Sequence, residues 1–334
     1  MQTKKVTMKD IAQALDVSIV TVSKALADKE GVGDELREEI KEKARELGYV
    51  FKKGQSTSAA DIRVGVIIAE RYVGDNSFYL SIYQKLLFEL AHKGMMGILE
   101  VVRENDEING NLPSLISLDS VEQIVVLGET YRKFLEALES TGKNIILFDF
   151  ENEDFDFDAV VGDNVNGGYL MTRYLAKQGY SKIGFIGNFK STRSILDRYL
   201  GYRKYLMMKD MPYNDEYYVR DRDDDGKAFD FELPEKLPEA FFCNCDSIAH
   251  KCIDALKARG LRVPEDVAVV GYDDYDMYGA KDYKITTYRV NINEMINHCL
   301  NIIEQHQNNP DYRYGTTLSY GRFIERETGK RKIK

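Results

Sequence analysis

Residues 18 to 24, Ser-Ile-Val-Thr-Val-Ser-Lys, hold the densest set of groups able to contact another molecule. The hydroxyls of Ser18, Thr21 and Ser23 are short and suited to phosphate oxygens, which orient a protein on a duplex without reading its sequence. Ile19, Val20 and Lys24 find no apolar partner in the local pattern. At the first turns of a helix they would meet base edges in a major groove, the two β-branched chains against thymine methyls and the lysine against a guanine acceptor edge.

A unit that can present these groups is visible around them. Thr7 and Asp10 form a capping-box pattern before a helix whose inward stripe is read as Ile11, Ala14 and Leu15. After a tight turn at Asp16 and Val17, Ser18 caps a second helix with Val22, Ala25 and Leu26 inward. Gly33 and Asp34 open a third, with Leu36, Ile40, Ala44 and Leu47 inward and Gly48 as a left-handed cap. A helix pair this short, starting its second member with small polar residues, is expected to be a helix-turn-helix that binds DNA.

The whole chain is not a generic polyanion binder. Its 334 residues carry a net charge of −9. Residues 1 to 60 hold 11 Lys and Arg against 10 Asp and Glu, and the remainder 35 against 45. Phosphate contacts must therefore come from a few placed cations, with affinity depending on geometry and dimerisation. The length predicts about two domains of roughly 100 to 200 residues each. A polar N-terminus without an apolar run near the roughly 20 residues that span a bilayer predicts a cytoplasmic protein with no membrane association.

The four cysteines are too few and too clustered for a secreted disulfide framework. Cys243, Cys245, His250 and Cys252 carry zinc-ligand side chains, but the first two end a strand and the last two sit two apart on a helix, pointing to opposite sides. No metal and no cofactor are expected. The chain lacks G-x-S-x-G, a Walker loop, G-x-G-x-x-G and H-E-x-x-H, which argues against an enzyme.

From Ile62 onward, short apolar runs alternate with amphipathic helices, the pattern of parallel sheets covered on both faces. Strands are predicted at residues 63–69, 97–102, 123–127, 144–148, 159–161, 183–186, 217–219, 240–243 and 267–271, with helices at 166–177, 195–209 and 247–259. Two wound units imply a cleft between them, lined by the loops after the strands.

Several blocks together, MKDIAQALDVSIVTVSKAL, GDNVNGGYLMTRYLAKQGYSKIGFIGN, DRYLGYRKYL, VPEDVAVVGYDD, ITTYRVNINEM and RFIERETG, give nearly the whole chain a close resemblance to the LacI/GalR family of bacterial transcription regulators. The resemblance implies an α/β architecture: a three-helix helix-turn-helix DNA-binding domain at 1–49, a hinge at 50–61, and a type I periplasmic-binding-protein-like core of two doubly wound parallel-sheet subdomains at 62–334. The subdomains would be about 62–161 with 291–321, and 162–290 with 322–334, the chain crossing near 161, 290 and 321. It further implies a homodimer on a pseudo-palindromic operator and a small effector in the cleft, by family habit a sugar or glycoside, leaning here toward a galactoside or other oligosaccharide.

Carried over position by position, the resemblance puts Arg198 and Asp273 on effector hydroxyls and Asp149 at a further ligand-facing position. Glu70, Arg71, Phe78 and Tyr79 occupy the loop and helix start that contribute apolar or stacking contacts. Cys245 stands where an asparagine is usual, leaving Asn244 displaced by one residue and Asp246 as the expected helix cap. Substituting Arg198 or Asp273 by Ala is expected to abolish effector binding without unfolding the core.

The hinge departs most. Aligned from Gly48 and Tyr49, the positions usually held by an alanine and a minor-groove leucine fall on Gln55 and Ser58, and neither is a wedge. Lys52 and Lys53 remain able to hold phosphates, and Thr7 and Tyr49 complete the expected DNA-contacting set. The leading reading is a repressor of a carbohydrate-utilisation operon released by its effector. A regulator that needs a nucleobase, a phosphosugar or a partner protein to bind DNA is the alternative, and an enzyme or transport binding protein on the same core is the third.

Overall fold

The structure, a computed structural model, describes residues 8–15, 17–26, 31–47, 62–73, 78–275, 283–309 and 312–331; within these, the side chains of residues 8–10, 20, 23 and 34 lie outside the description. Two compact units divide at Ile62, Met1–Ile62 and Arg63–Lys334.

The first unit contains α1 (Met8–Ala14), α2 (Ile19–Leu26) and α3 (Asp34–Glu46). Its core is Ile11, Ala12, Val22, Ala25, Leu26, Ile40 and Ala44, with Leu15, Val17, Val32 and Leu36 partly buried against it. Two inward assignments need correction. Ala14 is exposed and Ala12 takes its place, because α1 touches both other helices and its buried face is centred between Ile11 and Ala12. Leu47 is exposed as well, since α3 ends at Glu46 and Leu47 is already the C-cap.

The second unit opens with β1 (Arg63–Ala69), whose RVGVIIA run is buried on both faces after its first residue. Such a strand belongs at the centre of a parallel sheet with helices on either side. There follow α4 (Phe78–His92), β2 (Met96–Val102), α5 (Glu104–Asn109), α6 (Ser114–Ser117), β3 (Gln123–Leu127), α7 (Arg132–Glu139), β4 (Asn144–Phe148) and β5 (Asp158–Gly162). Then come α8 (Asn164–Lys177), β6 (Ile183–Ile186), α9 (Arg193–Met208), β7 (Tyr218–Val219), β8 (Ala240–Cys243), α10 (Asp246–Ala258) and β9 (Ala268–Val270). The chain finishes with β10 (Thr287–Arg289), α11 (Ile292–Asn308), β11 (Thr316–Ser319) and β12 (Arg322–Ile324).

Among the described residues these strands form two parallel sheets, ordered β11-β5-β4-β3-β1-β2 and β7-β6-β8-β9. Each reverses its winding once, between β1 and β3 and between β6 and β8, and ligands in such sheets sit beyond the carboxyl ends of the strands at those points. The chain passes from the first lobe to the second after β5. It returns between β10 and α11, and crosses again between β11 and β12, where β10 and β12 pair antiparallel. A buried contact secures the returning segment: Asp158 meets His306 Nε2 at 2.6 Å and accepts from the amides of Tyr314 and Gly315 at 2.5 and 2.8 Å.

Helices α8 and α9 begin two residues earlier than expected because caps precede them. Asp163 accepts from the Asn166 amide at 3.1 Å, and Thr192 from the Ile195 amide at 3.3 Å. Backbone contact between α8 and α9 needs glycine: a Cβ on Gly168 would lie 2.2 Å from the Arg198 carbonyl oxygen, and one on Gly201 2.1 Å from that of Val165. No helix among the described residues is long and apolar enough to cross a membrane.

Candidate functional site

In the first unit, Ser18 Oγ accepts from the Thr21 amide at 3.0 Å and lies 2.8 Å from the Thr21 hydroxyl, so the pair caps the N-terminus of α2. The cap orients the start of α2, on which Ile19 is exposed in the first turn and Lys24 in the last. Ile19 is 48% exposed, so its side chain is open to contact with another molecule. Val20 and Ser23 lie on the same helix. Thr7, Tyr49, Lys52 and Lys53, with the hinge positions Gln55 and Ser58, lie outside the described residues.

In the second unit a cavity of about 200 Å³ opens between the lobes at the two winding reversals. The first lobe contributes Tyr72, Phe78 and Tyr79 from the loop after β1 and the start of α4, and Asp149 from the end of β4. From the second lobe come Thr192, Ser194 and Arg198 of α9 and its cap, Arg222, Asn244 to Ser247 after β8, and Asp273 and Tyr275 after β9. Phe78, Tyr79, Asp149, Arg198, Cys245 and Asp273, all expected there, meet in this one space.

Arg198 is its most constrained member. Its Nε donates to Asn164 at 3.1 Å, Nη1 to the Asn244 carbonyl at 2.7 Å, and Nη2 lies 3.0 Å from Asp273 Oδ1, while the guanidinium stands 4.1 Å from the Tyr272 ring centroid. The Asp273 contact is an ion pair without the alignment of a hydrogen bond, so that oxygen keeps acceptor capacity. Burial opposes charge on Arg198, yet Asp273 and its other anionic neighbours outweigh it and hold the pKa above the ordinary value. Asp149 and Asp273 both adopt left-handed backbone, φ 70° and 92°, which aspartate tolerates better than most residues and which is common at ligand-holding positions.

Asp149 accepts from the Tyr79 hydroxyl at 2.9 Å. Burial pushes its carboxyl up to about 6, with Arg198 pulling the other way and Asp273 adding to the rise. A carboxyl raised on folding stabilises the fold below its unfolded value near 4 and loses that contribution as pH climbs through about 6. The core is therefore expected to lose on the order of 3 kcal/mol from this group on going from acid to neutral pH. Urea unfolding of the wild type and Asp149→Asn across that window checks it; the variant should lack this part of the slope and be the more stable at neutral pH. Asp197, on α9, is also raised to about 6 by burial and by Glu151 and Glu153, and its share of the slope should remain in the variant.

Four corrections follow from the geometry. Glu70 is exposed and lies outside the cavity lining. Arg71 also lies outside: its guanidinium grips the buried Glu107, Nη2 to Oε1 at 2.9 Å, and donates to the Glu129 carbonyl at 2.6 Å. Glu107 is 36 residues away and also accepts from the Thr130 hydroxyl and the Tyr131 amide, an acceptor cluster that local pattern does not reveal. Asp246 is not the cap of α10 but its first residue, after Cys245; one carboxylate oxygen accepts from the Tyr275 amide at 3.0 Å and the other has no partner among the described residues. Asn244 does line the cavity, although its side-chain amide is committed to Asp221 at 2.9 Å. Tyr72, Arg222 and Tyr275 were missed. Arg222 had a sequence signal in its neighbour Asp221, a buried carboxylate it meets through Nε and Nη2 at 2.9 and 2.7 Å.

Cys245 Sγ lies 3.1 Å from the Ser247 hydroxyl, and burial raises its pKa, keeping it a thiol. His250 Nδ1 meets the Tyr283 hydroxyl at 3.0 Å, and no three metal-ligating side chains converge among the described residues. At the rim, the Arg193 amide donates to Glu129 across the lobes at 2.6 Å, and its guanidinium pairs with Glu153 at 2.7 Å. The lobes are thus held together beside the cavity.

Residues 7–51 match the family model for bacterial regulatory proteins of the lacI family, and residues 172–328 that for a periplasmic binding protein-like domain. The chain belongs to the lacI family. As a lacI-family protein it is a DNA-binding transcriptional regulator of the repressor type rather than an enzyme. A curated lacI-family relative, the HTH-type transcriptional repressor PurR of Actinobacillus pleuropneumoniae, is 26% identical over 279 residues, 80% of this chain and 81% of the relative. The same fold occurs in a transcriptional regulator CelR in complex with cellobiose, with TM-score 0.68 and 21% identity over 97% of this chain and 99% of that one. It occurs again in the lac repressor dimer bound to operator and an anti-inducer, with TM-score 0.64 and 19% identity over 98% and 100%.

Proposed function

We propose that this regulator acts as a homodimer on a pseudo-palindromic operator and that a single-ring sugar in the interlobe cavity sets its DNA affinity. The observation that carries the ligand class is the pairing of Arg198 with Asp273 on one side of a small cavity and an aromatic wall with Asp149 on the other. Charged donors and acceptors make directed bonds to vicinal hydroxyls, while ring faces cover the apolar side of a sugar. The CelR complex, a sugar-bound regulator of the same fold, supports the class, and the lac repressor complex supports a dimer on operator DNA.

Size and charge narrow it. About 200 Å³ is below the roughly 300–1,000 Å³ of sites for drug-sized ligands, which favours one ring over the oligosaccharide expected from the sequence. Carboxylates lining the cavity outnumber guanidiniums, Asp149, Asp246 and Asp273 against Arg198 and Arg222, which disfavours a phosphosugar. A nucleobase is the second reading, favoured by the aromatic rings that could sandwich it.

Because the two lobes supply different contacts, a bound ring biases their closure, and DNA affinity changes only if operator and ligand prefer different closures. Operator selection from genomic fragments, followed by affinity measurement with and without a panel of monosaccharides and nucleobases, tests this. A ligand that weakens operator binding marks an inducer, and one that strengthens it a co-repressor. Failure to retain any fragment, with or without cell extract, would refute the proposal. On the DNA side, Ile19→Ala is expected to change sequence preference, whereas Lys24→Ala should cost about 1–3 kcal/mol of discrimination at one base pair.

A further inference from the structure

Each guanidinium in the cavity already has its own carboxylate. Arg198 faces Asp273, and Arg222 is engaged by Asp221 behind the cavity wall. Asp149 and Asp246 are left over. Both are buried, 6% and 5% exposed, both line the cavity, and neither has a cation within ion-pairing distance among the described residues. The side-chain hydrogen bond to Asp149 comes from a neutral donor, the Tyr79 hydroxyl, on one of its two oxygens, and the other has no donor among the described residues. Asp246 keeps one oxygen without a partner.

A buried carboxylate without a counter-charge is costly, and proteins usually neutralise it with a proton or a partner. The upward shift of Asp149 favours the first outcome. What surrounds it is suited to the second. Phe78 lies edge-to-face with both Tyr79 and Tyr275, ring centroids 5.5 and 5.4 Å apart, and Tyr72 lies 4.8 Å from Tyr79. Several aromatic rings around an unpaired carboxylate form a setting that attracts a cation by both its charge and the negative faces of the rings. A neutral hydroxyl would satisfy the carboxylate oxygen but leave the charge uncompensated.

We propose that the effector bears an ammonium group seated against Asp149 and the Phe78 and Tyr79 rings, which makes it an amino sugar. The inference rests on the reading of this cavity as a sugar site and specifies the class. A ring hydroxyl pattern is met by Arg198 and Asp273 in the second lobe, while the ammonium is met by Asp149 in the first. The charge would then help draw the lobes together.

Calorimetric titration of the full-length protein near neutral pH tests it. The probes are glucosamine, galactosamine and mannosamine, each beside its hydroxyl parent and its N-acetyl derivative, with adenine and guanine as uncharged heterocycles. At least one amine should bind about tenfold or more tightly than both of its uncharged counterparts, a difference equal to one charge-assisted contact. Asp149→Asn should remove that preference, so that on the variant the amine binds no more than about twofold more tightly than its own uncharged counterparts. Without ligand, the same variant should raise the melting temperature near neutral pH, because it removes a charge that burial disfavours more than Arg198 offsets, while still accepting from Tyr79. If Asp149→Asn does not fold, Phe78→Leu serves instead and should weaken the amine selectively. A parent sugar, N-acetyl sugar or nucleobase that binds as tightly as every amine would overturn the ammonium and leave the cavity reading standing. Heat from none of the probes, charged or uncharged, would overturn both.

Discussion

Arg198→Ala is expected to destabilise the core by about 3–5 kcal/mol as well as to abolish any effector response, so it does not behave as the clean binding variant that its sequence position implies. Truncation would strip the half-buried Asp273 of its counter-ion, free Asn164 Oδ1 and the Asn244 carbonyl, and remove the cation from the Tyr272 face. Leaving buried groups unpaired is what makes such a truncation expensive; the pair itself contributes little beyond a well-packed apolar substitute. The double variant Arg198→Met with Asp273→Asn, which removes both charges and keeps a side chain that tolerates the left-handed backbone at 273, should therefore recover much of the lost stability and still fail to respond to effector. Chemical denaturation of the full-length protein, read together with calorimetric titration, separates the two effects. If Arg198→Ala unfolds at the wild-type denaturant midpoint, Arg198 is a pure ligand contact and the structural account of it fails.

The second large effect belongs to the DNA-binding unit. Ile40→Ala is expected to cost about 2–5 kcal/mol, the usual range for emptying a fully buried aliphatic site. The unit runs only from Met1 to Ile62, and its described core is seven buried side chains. A single core in a domain of that size rarely supplies more than about 3–5 kcal/mol in total, so the substitution should unfold the unit and eliminate operator binding. The 63–334 unit should melt as before, giving two resolved transitions where thermal unfolding is followed by circular dichroism. Ile19→Ala is the control: Ile19 is exposed, so its loss should move stability by no more than about 0.5 kcal/mol while changing which DNA is bound. Equal loss of binding and of helix content in both variants would show that Ile19 is structural.

The parallel-sheet pattern was legible because fully buried strands are continuous apolar runs, as in Val64 to Ala69, and their ends are marked by polar residues. β1, β3, β4, β6 and β8 begin and end where the sequence places them. Helix starts were less legible. A cap residue such as Asp163 or Thr192 lies outside the apolar period, and the first turn it supports carries few apolar residues. The short helices α5 and α6, and the irregular stretch between β7 and β8, left only a weak signal.

For the cavity, motif blocks were enough to bring Asp149, Arg198 and Asp273 forward, because each sits at a fixed offset from a strand end or a helix start. What local sequence cannot carry is competition. Arg71 has the right type and place for a ligand contact, but Glu107 and the Glu129 carbonyl claim its donors first. Arg222 and Tyr275 belong to irregular segments with no period to read. The sequence by itself therefore determined the two kinds of unit, the places of most strands along the chain and the short capped second helix of the first unit, since these follow from periodicity and from caps a few residues apart. Only the tertiary structure decided which charged groups in the cavity meet an ion-pair partner and which meet a neutral donor, because that depends on groups 70 to 75 positions apart meeting at a few ångströms, such as Arg198 with Asp273 and Tyr79 with Asp149.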